Sequence, residues 1–154
     1  MYKRQELDGG TTAATPCGVF LGVSFTNGST GQIQQQQFYP ASQSIKSGTK
    51  IFAVVADDPD TLFQVAVVSG TTVIAGVGIN VIGSNVSLVQ NAGSSTTGNS
   101  AVAVLGTSAA ATASLPIRVI DVVRDTETTA GNVFPEVIVK INATMHQYNT
   151  ATGI

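Results

Sequence analysis

Charged residues are scarce in this chain of 154 amino acids. It has seven basic and nine acidic side chains, which make up 10% of the residues and give a net charge of −2. An average soluble domain is about 25% charged. This balance excludes a nucleic-acid binder that depends on a dense basic surface. Because 43% of the residues are hydrophobic, it also excludes a chain that charge repulsion keeps disordered.

Cysteine and histidine, on which many catalytic and metal sites depend, are nearly absent. The chain has one cysteine, Cys17, and one histidine, His146. A zinc site draws on several such ligands, and a nucleophilic triad needs a histidine base. We therefore expect no catalytic residue, no metal site and no cofactor. Cys17 is interpreted as a small buried residue, and His146 as a tail residue that packs at a surface or an interface.

Long apolar runs are missing as well. The first 15 residues contain no apolar stretch of the kind that a secretory signal needs. No segment approaches the ~20 apolar residues of a transmembrane helix. The sequence therefore predicts no membrane partner.

β-Branched residues are abundant by contrast. Val (20), Ile (11) and Thr (19) supply about a third of the chain, and such side chains suit a pleated sheet. Leu (6) and Met (2), which favour helices, are few. The composition predicts an all-β fold: a single-domain antiparallel β-sandwich or barrel of about 7–9 short strands.

The chain divides into three predicted parts. Residues 1–15 form an N-terminal arm, residues 16–142 form the β-domain, and residues 143–154 form a C-terminal tail. The arm and the tail have little apolar surface to bury, so we expect them to become ordered where they dock on a partner.

Strand-like segments alternate with turn residues in the predicted domain. The pair Asn27-Gly28 is a hairpin signal, and alternation in the first strand places Val19, Leu21, Val23 and Phe25 on one face. Residues 107–114 fit either two helical turns or a strand. The predicted strands are 18–25, 33–39, 50–56, 62–68, 73–82, 85–90, 101–105, 115–123 and 133–143.

Three carboxylates lie close together in the sequence, at Asp57, Asp58 and Asp60. Oxygen ligands of this kind bind Ca²⁺, but the spacing does not match the EF-hand loop. We interpret the segment as a turn between two strands with solvated carboxylates. An adventitious cation site and a glycosidase-like carboxylate pair remain as alternatives.

Two further groups of residues have structural interpretations. The glutamine run 34–37 lies in a hairpin strand, so its amides are expected to form interstrand or intersubunit hydrogen bonds. Most of the six phenylalanines are expected in the core. A stacking platform for single-stranded nucleic acid needs aromatics beside a basic groove, and the chain offers no such groove. The sequence therefore predicts no nucleic-acid partner.

Several segments, taken in order, resemble a family of capsid decoration (cement) proteins from tailed bacteriophages. The likeness lies in a Gly-Val-Phe-Leu-Gly strand, a Tyr-Pro-Ala-Ser turn, an Asp-Asp-Pro turn before Phe-Gln-Val, and a C-terminal His-Gln-Tyr. It covers roughly residues 13–154. The segments are TPCGVFLGVSFTN (15–27), FYPAS (38–42), IFAVVADDPDTLFQV (51–65), LPIRVIDVVRD (115–125) and VIVKINATMHQYNTATGI (137–154).

The resemblance implies a non-enzymatic virion protein. Such a protein, made in the host cytoplasm, lies on the outer surface of the capsid, binds the major capsid protein and stabilises the head. It implies contacts with further copies of the chain as well. A closed homo-oligomer is the common arrangement, and a trimer would suit the threefold positions of a shell.

Two other functions compete with this one. A phage fibre or lectin-like β-module would bind host surface or carbohydrate, and a hydrolase would use His146 with Asp58. Low charge favours the decoration protein, because interface cores are depleted in charged residues. We expect charges on the outward face and in the arm, and uncharged contact surface along the strand flanks.

Overall fold

The computed structural model describes residues 16–40, 42–70, 79–94, 96–124, 134–146 and 148–149. Within these ranges the chain forms nine strands and two 3-10 turns, which confirms the all-β prediction. The strands are β1 (Val19–Thr26), β2 (Ile33–Gln36), β3 (Phe52–Ala56), β4 (Phe63–Val68), β5 (Asn85–Val86), β6 (Leu88–Asn91), β7 (Ala101–Leu105), β8 (Ile117–Val122) and β9 (Glu136–Ile141).

The first three strands form a small antiparallel sheet in the order β2-β1-β3. The predicted hairpin joins β1 to β2, with Thr26 opposite Ile33. Asn27 holds its turn, because its side-chain Oδ1 accepts the backbone N–H of Ser29 at 2.8 Å and of Thr30 at 3.1 Å. Asx turns of this type are a common use of asparagine.

The predicted alternation of β1 is interrupted by a β-bulge. The register with β3 shifts between Phe20 and Gly22, so two residues of β1 oppose one residue of its neighbour. Val23 and Phe25 are buried as predicted, whereas Leu21, expected on the same face, is exposed. The extra residue changes the face that the strand presents on either side of the bulge.

The remaining strands form a six-stranded sheet in the order β5-β8-β9-β4-β7-β6. Its pairings are antiparallel except that of β4 with β7, which is parallel. Among the described strands this pair is the one exception to the predicted antiparallel arrangement. Parallel neighbours need a crossover of a dozen residues or more, and the chain between β4 and β7 is long enough to provide one.

This six-stranded sheet curls into a nearly closed barrel. Its two end strands, β5 and β6, are consecutive in the chain and are separated only by Ser87. At that residue the chain changes partner from β8 to β7. The carbonyl of Ser87 accepts the N–H of Leu105 at 2.9 Å, and its N–H donates to Ser108 Oγ at 2.8 Å. Both backbone groups are therefore satisfied where the strand switches neighbours.

The hydrophobic core lies inside the barrel. Its buried members are mostly β-branched residues: Val67, Val86, Val104, Ile117, Val119, Val122, Val137, Val139 and Ile141. The small sheet has a separate centre, where Phe25 meets Tyr39 edge to face with ring centroids 5.1 Å apart. The nine buried residues of the core cluster all lie in barrel strands, so the small sheet contributes no residue to that core.

Several predicted segments differ from the structure or lie outside the described ranges. Residues 107–114 form neither two helical turns nor a strand; a 3-10 turn spans Gly106–Ser108, and Ala110 makes an isolated bridge to Asn85. In the predicted strand 73–82, residues 79–81 form a 3-10 turn and residues 73–78 lie outside the described ranges. The predicted arm, residues 1–15, lies outside them too, as do 147 and 150–154 of the tail.

Candidate functional site

The segment that follows β9 folds back onto the barrel. The side-chain amide of Asn142, which is buried, donates to the carbonyls of Ala113 at 3.0 Å and Leu115 at 2.9 Å. Its backbone N–H donates to the carbonyl of Pro116 at 2.8 Å. Asn142 thus joins the end of β9 to the loop before β8.

His146 is buried within this segment, with none of its surface exposed. The sequence placed it at a surface or an interface, and the structure corrects that interpretation. The carbonyl of Asn142 accepts the N–H of His146 at 2.9 Å, which turns the chain inward. The imidazole Nδ1 accepts the N–H of Tyr148 at 3.2 Å, and Nε2 has no hydrogen-bond partner. A general base must reach its substrate, and this ring is enclosed.

The three carboxylates of the predicted turn are exposed, as expected, but do not converge. Asp58 Oδ1 accepts the N–H of Asp60 at 2.8 Å, which closes the turn. Asp60 forms an ion pair with Lys140 of β9 at 3.1 Å, and Asp57 accepts a hydrogen bond from Tyr148. The strands that this turn connects, β3 and β4, belong to different sheets. Across the described ranges, no group of three or more His, Cys, Asp or Glu residues could hold a metal ion.

Tyr148 ends the His-Gln-Tyr segment, but no role for its side chain was predicted from the sequence. Its hydroxyl donates to Asp57 Oδ2 at 3.2 Å, and its ring lies 5.5 Å from that of His146. The hydrogen bond to the Asp57 carboxylate, reinforced by the negative charge of that carboxylate, raises the pKa of the Tyr148 hydroxyl. Cys17, which was expected to be buried, is half-buried. The hydrogen bond between Tyr148 and Asp57 connects the C-terminal segment to the turn at 57–60.

Replacing Asp57 with Asn should lower the pKa of Tyr148 toward the ordinary value of about 10. Ultraviolet titration of the folded variant, compared with the parent and with Tyr148→Phe, measures this change. Because the folded pKa is raised, the contribution to stability is complete below the unfolded pKa and is lost as the pH rises through the folded value. An unchanged titration of Tyr148 in the Asp57→Asn variant would show that Asp57 is not the cause.

The small sheet presents the largest set of exposed apolar side chains. No residue of β1, β2 or β3 is charged, and every strand charge among the described residues lies on β8 or β9. The prediction of uncharged strand flanks holds for this sheet but not for the barrel strands β8 and β9, which carry Arg118, Asp121, Glu136 and Lys140. The exposed members in or beside the sheet are Val19, Leu21, Ile33, Ile45, Ile51, Phe52 and Val54. We call this set the apolar surface.

Two phenylalanines contradict the core interpretation. Phe25 is buried, but Phe52 is 62% exposed and Phe134 is 49% exposed. The run of apolar residues through 51–56 is typical of a strand covered on both faces, and β3 lacks such cover. The apolar run at 51–56 was therefore the sequence signal for this exposed apolar surface.

A shallow groove separates β1 from the loop that connects β6 and β7. Its volume is about 120 Å³, and its lining residues are Phe20, Leu21, Gln37, Gly98, Asn99 and Ser100. It combines one aromatic side chain with two amides.

Comparison with protein-family models, with curated proteins and with solved structures finds no match for this chain. None of the described residues belongs to a helix long and apolar enough to cross a membrane.

Proposed function

We propose that this protein is a non-enzymatic decoration protein of a bacteriophage capsid. It binds the major capsid protein on the outer surface of the shell, associates with copies of itself and stabilises the head. The ordered sequence resemblance supports this proposal, and so does the low charge of the chain. The proposal includes no cofactor, no nucleic acid and no membrane.

The observation that carries the proposal is the apolar surface of the small sheet. Exposed apolar patches that are free of charge are typical of protein contact surfaces. This sheet also has unpaired edges, since β2 and β3 each pair only with β1 among the described residues. An open edge can accept a strand of a partner through backbone hydrogen bonds. Contact area of this kind is what a stabilising shell protein needs, and it requires no reactive side chain.

We assign the shell contact to β2 and its neighbours. Ile33 is the most exposed large apolar residue of the sheet, at 75%, and Leu21 lies on the adjacent strand at 56%. Gln34 accepts a hydrogen bond from the amide of Asn27 at 3.2 Å, so one amide of the glutamine run serves the hairpin. Gln35 and Gln37 are exposed beside it. A protein that binds only the assembled shell stabilises it by mass action.

One observation favours a second function, a carbohydrate-binding fibre module. The groove beside β1 places Phe20 next to the amides of Gln37 and Asn99. An apolar ring with a few polar groups is the usual composition of a small-molecule site. The groove is small and open, however, and the apolar surface extends well beyond it.

An Ile33→Glu variant should lose at least about tenfold in affinity for shells, because it buries an unpaired charge in an apolar contact. The measurement is co-sedimentation of purified protein with capsids stripped of it, compared with the parent chain. Ile79→Glu is the matched control, since Ile79 is 60% exposed and lies outside the small sheet. Equal binding by both variants and the parent would contradict the assignment, and binding to sugar arrays but not to shells would favour the fibre module.

A further inference from the structure

β3 is exposed along one edge and on both of its faces. It pairs with β1 along one edge only, among the described strands. Phe52, Ala53 and Val54 are consecutive and all exposed. Because successive side chains of a strand point to opposite faces, both faces of β3 are uncovered at these positions as well as its free edge. Natural proteins seldom leave an uncharged edge strand of this kind without a partner.

We propose that β3 pairs with β3 of a second copy of this chain, antiparallel across a twofold axis. Such pairing joins two small sheets into one continuous sheet of six strands. In an antiparallel pair, two directly opposed residues both point their backbone N–H and C=O groups toward the partner strand or both point them away from it. When the two strands are identical and related by a twofold axis, one residue must therefore lie opposite its own copy. The register centred on Val54 places Phe52 opposite Ala56 and Lys50 opposite Asp58 of the second copy.

Charge complementarity favours this occupant and this register. The strand is uncharged, but Lys50 precedes it and Asp57 and Asp58 follow it. In the antiparallel pair, the positive end of each copy meets the negative end of the other, twice by symmetry. Opposite charges across from each other stabilise strand pairs. Neither Lys50 nor Asp58 takes part in an ion pair within the described ranges.

The other edge of the sheet lacks this pattern. Residues 32–37 around β2 carry no charge, so self-pairing there would have no charged ends to set its direction. The β3 strand is therefore the edge that specifies a second copy. A twofold contact closes at two chains, which differs from the trimer suggested by the resemblance. It forms in solution and does not depend on binding to a shell.

The first test is the mass of the protein in solution by light scattering after size exclusion. The parent should have the mass of two chains of 15.7 kDa each. Val54→Lys places two like charges together at the axis and should reduce the mass to one chain. Ile33→Lys, on the opposite edge of the same sheet, should keep two. Thermal melting confirms that each variant is folded. A parent of one chain or of three, or an equal loss in both variants, would overturn the proposal.

The second test exchanges the charges. Lys50→Asp and Asp58→Lys should each shift the assembly toward one chain, since each creates like-charge pairs. The double variant should restore the mass of two chains, because the opposed pair is rebuilt with reversed signs. A merely local role for either side chain would not produce this rescue. Failure of the double variant to recover would contradict the pairing of Lys50 with Asp58.

The third test reads the register directly. In a Cys17→Ser background, Val54→Cys places two thiols opposite each other, and a mild oxidant should convert the protein to a covalent dimer. Ala53→Cys points to the other face and is not self-opposed, so it should form much less of that dimer. Greater cross-linking at 53 than at 54 would exclude the Val54 register. Loss of shell binding with this dimer intact would affect only the proposed function.

Discussion

An Asn142→Asp variant should lose about 4 kcal/mol of unfolding free energy. The change is nearly isosteric, so it creates no cavity. It removes the N–H donor that serves the carbonyls of Ala113 and Leu115, and it leaves a buried carboxylate facing two acceptors. Denaturant unfolding of the purified variant, followed by circular dichroism, measures the loss.

Thr144→Val is the matched control for this prediction. The hydroxyl of Thr144 donates to the same carbonyl of Ala113 at 2.9 Å, but the residue is exposed. Water can replace that bond, so the loss should stay below about 1 kcal/mol. Similar losses in the two variants would show that the buried amide of Asn142 has no special role in holding the end of the barrel.

Gly98→Ala should cost about 3 kcal/mol, the second-largest effect that we expect. Gly98 has φ +73°, which L side chains rarely adopt, and a Cβ there would overlap the ring of Phe38. Phe38 follows β2, whereas Gly98 lies in the loop between two barrel strands. The contact therefore links the small sheet to the barrel.

Gly31→Ala separates backbone strain from this contact. Gly31 has a similar φ of +69° but open space where a Cβ would lie, so its substitution should cost only about 1 kcal/mol. Adding Phe38→Ala to Gly98→Ala should cost less than the two changes summed, because the overlap is then absent. Additive losses, or equal losses at both glycines, would contradict the predicted overlap with Phe38.

Local features of the fold were predictable from the sequence. The hairpin at Asn27-Gly28 forms because asparagine caps its own turn, and Pro116 and Pro135 directly precede β8 and β9 as their missing N–H groups require. These signals act within a few residues. The assignment of strands to sheets was not predictable in the same way. β3 and β4 are joined by a short turn yet belong to different sheets, and the chain exchanges neighbours at Ser87.

The surroundings of the candidate site depend on contacts between distant residues. Asp57 and Tyr148 are separated by 91 positions, so nothing in their spacing links them. His146 was expected at a surface because its neighbours in sequence are polar. It is buried because Asn142 turns the chain inward, and that turn depends on carbonyls in the loop before β8. Side-chain hydrogen bonds between residues so far apart in the chain leave no periodic pattern in the sequence.

The strand predicted over residues 50–56 is present as β3. Continuous apolar residues are typical of a strand covered on both faces, and in this respect β3 is unusual. In the described part of the chain, Phe52, Ala53 and Val54 of this strand are exposed. The low charge of the sequence has the same explanation under our account: these flanks are contact surface for other molecules.

Cryo-electron microscopy of the intact phage particle tests the central claim most directly. If the protein decorates the capsid, its density should recur at regular positions over the outer face of the head, in contact with the major capsid protein. Density confined to a tail tip or a unique vertex, or particles that lack the protein altogether, would contradict the account.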